Sequence, residues 1–211
     1  MSKLVKILLV LVAVLSIIGV QSAYAVPTLT LKSGATTINI TDDGLNDAYA
    51  GAGSITFIGA VGNFVVNVST GITKPVLGSS ILPWMDLNSV DVSSGAAVLE
   101  IWFSDSGFTY TGGLTMNVGG TFQNTASFET QVNGTTISSL ILGPGADSGS
   151  TGGAATLTAS DTLTLYTNIN HSAAGSTSFD QEVVTPEPST LLLLGTGLVG
   201  AALYARRRKV K

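Results

Sequence analysis

Apolar side chains recur at every second position along most of this chain, in short runs split by turn residues. In "AVLEIWF" Ala97, Leu99, Ile101 and Phe103 fall on one face. In "FVVNV" the face is Phe64, Val66 and Val68, and in "LTMNV" it is Leu114, Met116 and Val118. "LTLYTNIN" places Leu163, Leu165 and Ile169 together, with Thr167 among them. Phe122, Ala126, Phe128 and Val132 align likewise, and shorter alternations occur at Leu29/Leu31, Ile38/Ile40 and Val90/Val92. The separators are rich in Gly, Asn, Asp and Ser: "DDGLNDAYAGAGS", "VSSGA", "SDSGF" and "GPGADSGSTGG". A period of two in short runs with frequent turns predicts half-buried antiparallel strands, whereas no amphipathic helix exceeds two turns in this region. The pattern predicts an all-β antiparallel β-sandwich over residues 26–183, with Thr and Ser filling the outward positions.

Two stretches break the alternation. Residues 143–153 are mostly Gly and Ser and read as one wide surface loop. "TGITKPVLGSSILPWMDLNSV" holds Pro75, Pro83, Trp84 and Met85 and reads as an irregular loop. Its Trp84 is expected to plug one end of the sandwich; an exposed Trp84 would instead be free to touch a ligand.

Both ends have a different character. Lys3 and Lys6 precede an apolar run over residues 7–20, and Ala23 and Ala25 form an A-x-A cleavage site. Residues 1–25 are the expected signal peptide, an N-terminal helix removed by signal peptidase; left uncut, the same run would serve as an anchor. At the other end Pro186, Glu187 and Pro188 precede residues 190–205, sixteen residues without a charge. As a helix these span roughly 24 Å, short of the roughly 30 Å hydrocarbon core, so a transmembrane helix here requires local thinning or snorkelling. Arg206, Arg207, Arg208 and Lys209 come next, within a basic tail at 206–211. The positive-inside rule keeps that end in the cytoplasm and places the rest of the chain across the inner membrane. Gly195, Gly197 and Gly200 in the same run spell G-x-G-x-x-G. Prolines precede it where a Rossmann fingerprint needs a strand, and the eleven residues after it are too few for a second strand. Small residues packing a membrane helix account for it better.

Composition gains meaning once the ends are set apart. They inflate the hydrophobic share of 45%. Between them lie only two basic residues, Lys32 and Lys74, against twelve acids, which leaves the segment at −10 where the whole chain carries −4. Such a charge disfavours nucleic acid and anionic lipid. Cysteine is absent, so no disulfide supports the core.

Candidate chemistry is sparse. The sole histidine is His171, expected at the surface beside a turn; with no cysteine it excludes a His-based metal cluster and a thiol nucleophile. No G-x-S-x-G marks a serine for a triad. Asp42, Asp43 and Asp47, with Gly44 and Asn46 between, loosely resemble a calcium loop without EF-hand spacing and read foremost as solvated turn acids. No cofactor is expected. Asn39, Asn67, Asn133 and Asn170 open N-x-[ST] sequences, which a chain this rich in Ser and Thr contains by chance.

The tail as a whole resembles the PEP-CTERM sorting signal of Gram-negative bacteria. Motif at 186–188, short helix and basic cluster come in that order within the last 28 residues, 184–211. The resemblance implies that an exosortase-type membrane enzyme recognises Pro186, Glu187 and Pro188 as substrate residues, cuts near them, and sends the protein to the cell surface or the medium. Membrane residence is then transient. It also implies an organism that makes exopolysaccharide and forms biofilm. For the exported domain three functions stay open: a non-enzymatic surface or matrix protein that binds polysaccharide, a polysaccharide hydrolase, and a structural assembly subunit. A pocket with two carboxylates about 5–10 Å apart would favour the second.

Overall fold

The computed structural model describes residues 25–186. The helices expected for the signal peptide and the membrane segment, with Ala23, Glu187, Pro188, Arg206, Arg207, Arg208 and Lys209, lie outside the described residues. No segment among the described residues is helical; all regular structure is strand. Twelve strands occur in order: β1 (Thr28–Ser33), β2 (Thr36–Thr41), β3 (Ser54–Val61), β4 (Phe64–Ile72), β5 (Trp84–Ser93), β6 (Ala97–Asp105), β7 (Tyr110–Phe122), β8 (Ala126–Val132), β9 (Thr135–Leu142), β10 (Gly145–Leu157), β11 (Leu163–His171) and β12 (Gly175–Val184).

They form two antiparallel six-stranded sheets. The first has the order β2-β1-β6-β11-β8-β9 and the second β10-β7-β12-β5-β4-β3. From β5 onward the chain crosses repeatedly between sheets. The eight strands β5 to β12 have the order of a jelly roll, β6-β11-β8-β9 facing β10-β7-β12-β5. Strands β1 and β2 extend one sheet and β3 and β4 the other. The edges β9 and β10 lie against each other, as do β2 and β3, so the lateral openings of the sandwich are closed.

The core lies between the sheets and is supplied by the alternation in the sequence. Leu99, Ile101 and Phe103 of β6, Leu163, Leu165 and Ile169 of β11, and Leu114, Met116 and Val118 of β7 are buried. Phe128 packs edge-on against both Phe122 and Phe179, at centroid distances of 5.8 and 5.4 Å. Such aromatic pairs add about 0.5–1.5 kcal/mol beyond their buried area.

Three expectations need correction. Residues 145–153 are not a loop; they belong to β10, which pairs with β7 from Gly145↔Phe122 to Leu157↔Tyr110. Glycine replaces side chains here because β9 lies so close. A Cβ on Gly153 would collide with the Ile137 carbonyl oxygen, and one on Gly149 would come within 2.8 Å of Leu140. A strand stripped of side chains has no alternation to read. Trp84 opens β5 with 38% of its surface exposed, so it does not plug an end. Val90 and Val92 face solvent, while Ser89, Asp91 and Ser93 of the same strand face the core. Polar residues thus also fill inward positions, including Thr130, Thr167 and Gln181.

Candidate functional site

The outer face of the first sheet concentrates recognition chemistry. Alternation in β6 turns Leu99, Ile101 and Phe103 inward, so Glu100 and Trp102 point out. In β11 it turns Leu165 and Thr167 inward, so Tyr166 and Asn168 point out. Antiparallel pairing then sets Tyr166 directly opposite Trp102 and Asn168 opposite Glu100. The two rings stack with centroids 5.1 Å apart and planes inclined by 34°. On the far side of β11, Glu129 of β8 sits opposite Tyr166.

Polar groups around the rings are held by one another. The Tyr166 hydroxyl donates to Glu100 Oε1 at 3.0 Å and accepts from Asn168 Nδ2 at 3.2 Å. Lys32 Nζ pairs with Glu100 Oε2 at 3.0 Å. Glu129 Oε2 accepts from Gln131 Nε2 at 2.7 Å and from Thr136 Oγ1 at 2.6 Å. Burial pushes the Tyr166 phenol above its ordinary range, and the Glu100 and Glu129 carboxylates push it the same way against the Asn168 hydrogen bond. It therefore stays a neutral donor at physiological pH. The result is a half-buried pair of tilted, stacked rings edged by fixed donors and acceptors. Such a pair offers an apolar ring surface to a ligand and hydrogen-bonding groups to hydroxyls at its rim.

The outer face of the second sheet differs. Asp86, Asp180 and Glu182 lie on neighbouring strands β5 and β12. Burial, then Asp180 and Glu182, push the Asp86 carboxyl up to about 7. A shallow hollow of about 260 Å³ beside them is lined by Asn88, Gly119, Gly120 and Asp180 among others. A larger hollow of about 460 Å³ lies at the β1–β2 and β3–β4 turns and has no acidic side chain in its lining.

His171 is not at the surface. It is 1% exposed, because the inward phase that starts at Leu163 runs through residues 165, 167 and 169 to 171. Its Nδ1 lies 2.7 Å from Ser93 Oγ, its Nε2 lies 2.8 Å from Thr177 Oγ1, and the Phe64 ring packs at 5.0 Å. Burial lowers its pKa, so the ring is neutral at pH 7. Both nitrogens are engaged by buried hydroxyls rather than by a carboxylate, and this knot fastens β11 to β5 and β12.

Two acids of the β2–β3 loop, Asp42 and Asp47, are engaged with backbone. Asp42 Oδ2 accepts from the Gly53 N–H at 2.7 Å. Asp47 Oδ1 accepts from the N–H groups of Tyr49 and Thr56 at 3.1 and 2.9 Å, and its Oδ2 from that of Asp43 at 3.0 Å. Burial raises the Asp42 pKa. Among the described residues no group of three or more His, Cys, Asp or Glu side chains has the geometry to hold a metal ion. Pro186 is the last described residue, two positions beyond β12.

Sequence reasoning missed Trp102 and Tyr166. Their signal was present: each is an aromatic in the outward phase of a strand whose inward phase is apolar. The pairing of strands distant in sequence was what the sequence did not display.

No curated protein matches this chain. Among solved structures it is similar to the C-terminal CBM6 of LamC, a marine laminarinase from Zobellia galactanivorans, with 15% identity and a TM-score of 0.32 over 47% of this chain and 80% of that one. It is similar to a PA14 sugar-binding domain from an RTX adhesin, with 13% identity and a TM-score of 0.32 over 74% and 90%. A third likeness is to YcfD, a ribosomal oxygenase from Escherichia coli, with 11% identity and a TM-score of 0.24 over 89% and 46%. At such scores these likenesses carry no argument about activity or ligand. The C-terminus is informative: residues 184–209 match the PEP-CTERM protein-sorting motif, and the chain therefore carries the sorting signal of an exported protein processed by an exosortase-type enzyme.

Proposed function

We propose that this is a non-enzymatic surface or extracellular-matrix protein that binds exopolysaccharide through the outer face of the first sheet. The observation that carries this reading is the outward-facing Trp102–Tyr166 ring pair. A pyranose ring presents an apolar C–H face that fits an aromatic plane, and its equatorial hydroxyls reach the rim, where Glu100, Asn168 and Gln131 supply acceptors and donors. An open sheet face suits the side of a long polymer better than a chain end. The domain's charge of −10 favours a neutral, hydroxyl-rich polymer over one rich in uronate. Glu100 and Glu129 each have two hydrogen-bonding partners, and neither described hollow is lined by two carboxylates, which supports binding over hydrolysis. The test is affinity electrophoresis of the exported protein through gels cast with neutral β-glucans or mannans. Wild type is retarded, Trp102→Ala loses at least tenfold in affinity, and Asp180→Asn on the opposite face binds as wild type. Retardation unchanged in Trp102→Ala defeats the ring pair as the site; steady release of reducing ends by wild type defeats the non-enzymatic reading.

For the tail, we propose that the mature protein ends near Pro188. Proline at both ends of the motif disfavours a helix there, and Glu187 adds a single charge for a protease cleft to recognise. Glu187→Ala is expected to slow processing and leave a membrane-bound precursor, seen by immunoblot of membrane and medium fractions. A native protein whose intact mass still includes residues 191–211 would make the tail a permanent anchor.

A further inference from the structure

Two lysines occur among the described residues, and their settings are opposite. Lys32 is on the surface beside Glu100, with 46% of its side chain exposed. Lys74, in the loop after β4, is sealed at one end of the sandwich against Asp105, the last residue of β6; their side chains are 2% and 0% exposed. The Nζ–Oδ2 distance is 2.5 Å. The Phe108 ring covers Nζ from 4.0 Å, and Nζ also donates to the Ser106 carbonyl oxygen. The two carboxylate oxygens are held differently. Oδ1 accepts from the Ser106 N–H at 2.8 Å, and Oδ2 accepts from Thr73 Oγ1 at 2.8 Å as well as from Lys74.

We propose that Lys74 and Asp105 condense after folding into an intramolecular isopeptide bond. The arrangement provides what amide formation needs. Amine and carboxyl are pressed together without competing water, which gives a high effective concentration. The Ser106 N–H sits where Oδ1 becomes the oxyanion of the tetrahedral adduct. Oδ2 is the leaving oxygen, with a hydroxyl and an amine both able to donate to it. One proton passes from the Lys74 ammonium to Oδ2, and the freed nitrogen lone pair attacks Cγ. The Nζ–Cγ bond forms, a second proton moves from Nζ to Oδ2, the Cγ–Oδ2 bond breaks, and water leaves. Ammonium plus carboxylate give amide plus one water, with charge balanced and no oxidant or co-reactant required. The product removes a buried ion pair, whose desolvation is costly, and ties the β4–β5 loop of the second sheet to β6 of the first. In a chain without cysteine it would be a side-chain cross-link between the sheets.

The experiment is intact-mass measurement of the native, exported protein, with chymotryptic mapping of the same sample. The expected mass is one water, about 18 Da, below that of the sequence between its observed termini, and the map contains a branched peptide joining Lys74 to Asp105. Lys74→Arg keeps the charge but not the nucleophile, and its mass is expected to show no loss. If that variant does not fold, the wild-type map still decides. A wild-type mass equal to its sequence overturns the proposal. So does a water loss that maps to an unbranched succinimide at Asp43-Gly44 or Asp105-Ser106.

Discussion

Strands β5 and β6 are joined by a three-residue turn, lie in opposite sheets, and use their two faces in opposite ways. In β6 the inward side is Leu99, Ile101 and Phe103, and Trp102 with Glu100 faces water. In β5 the inward side begins with Met85 and Leu87 and then becomes Ser89, Asp91 and Ser93, while Val90 and Val92 face out at 37% exposure. Slipping β5 by one residue would bury the valines but expel Met85 and Leu87 and break ten consecutive pairings with β12. Register is thus decided by the strongest apolar positions and the neighbouring strand, and the weaker half of β5 takes the phase that these impose. Its polar residues are tolerable because they find partners: Ser89 Oγ donates to Asp91 Oδ1 at 2.9 Å, and Ser93 meets His171. Asp91 Oδ2 alone among these atoms has no hydrogen-bond partner among the described residues.

The sharpest way to break this contrast is at the apolar strand. Phe103→Ala is expected to cost about 3–5 kcal/mol in urea denaturation, since the residue is fully buried and Gly71 already packs against its ring. Next comes Asp91. Burial pushes its carboxyl up to about 7, against 3.8 when unfolded. The stabilisation from holding the proton is fully present below pH 3.8 and is lost as pH rises through about 7. Wild type should therefore lose on the order of a few kcal/mol between about pH 4 and pH 8 from this group alone. Asp91→Asn should flatten that part of the profile, and denaturation midpoints at the two pH values measure it. Third, Trp102→Ala should cost only about 1 kcal/mol in stability, because its ring is half-buried on the outer face, while weakening the proposed polysaccharide binding at least tenfold. Last, Val90→Thr should lie within about 0.5 kcal/mol of wild type, being exposed; a larger loss would mean that the outward face of β5 is covered in the native protein.

The phase of β6, β7 and β11 could be read directly from the chain, because large apolar residues occupy nearly every inward position. Counting on from Leu163 by twos reaches Thr167, as expected, and would also have reached His171. The polarity of His171 argued for the surface, and only the presence of Ser93 and Thr177 opposite it explains its burial. Thr167 Oγ1 donates to Gln181 Oε1 at 2.7 Å, across the gap between sheets. Strand β10 was illegible for a different reason: its glycines exist to admit β9, which immediately precedes it in the chain but lies in the other sheet, a packing that the alternation does not display. The same holds for the candidate site. Trp102 and Tyr166 stand 64 positions apart, and their meeting depends on the β6–β11 pairing alone.

The described chain enters and leaves the domain at the same end. Ala25 lies near Gly107, past the end of β6, and the Thr185 N–H donates to the Pro83 carbonyl at 3.2 Å, just before β5. Any tether attached beyond Pro186 therefore pulls on β12 along its own axis. That strand is central, bonded to β5 on one side and to β7 on the other. A load applied this way shears two ladders of hydrogen bonds at once instead of opening one bond at a time from an edge.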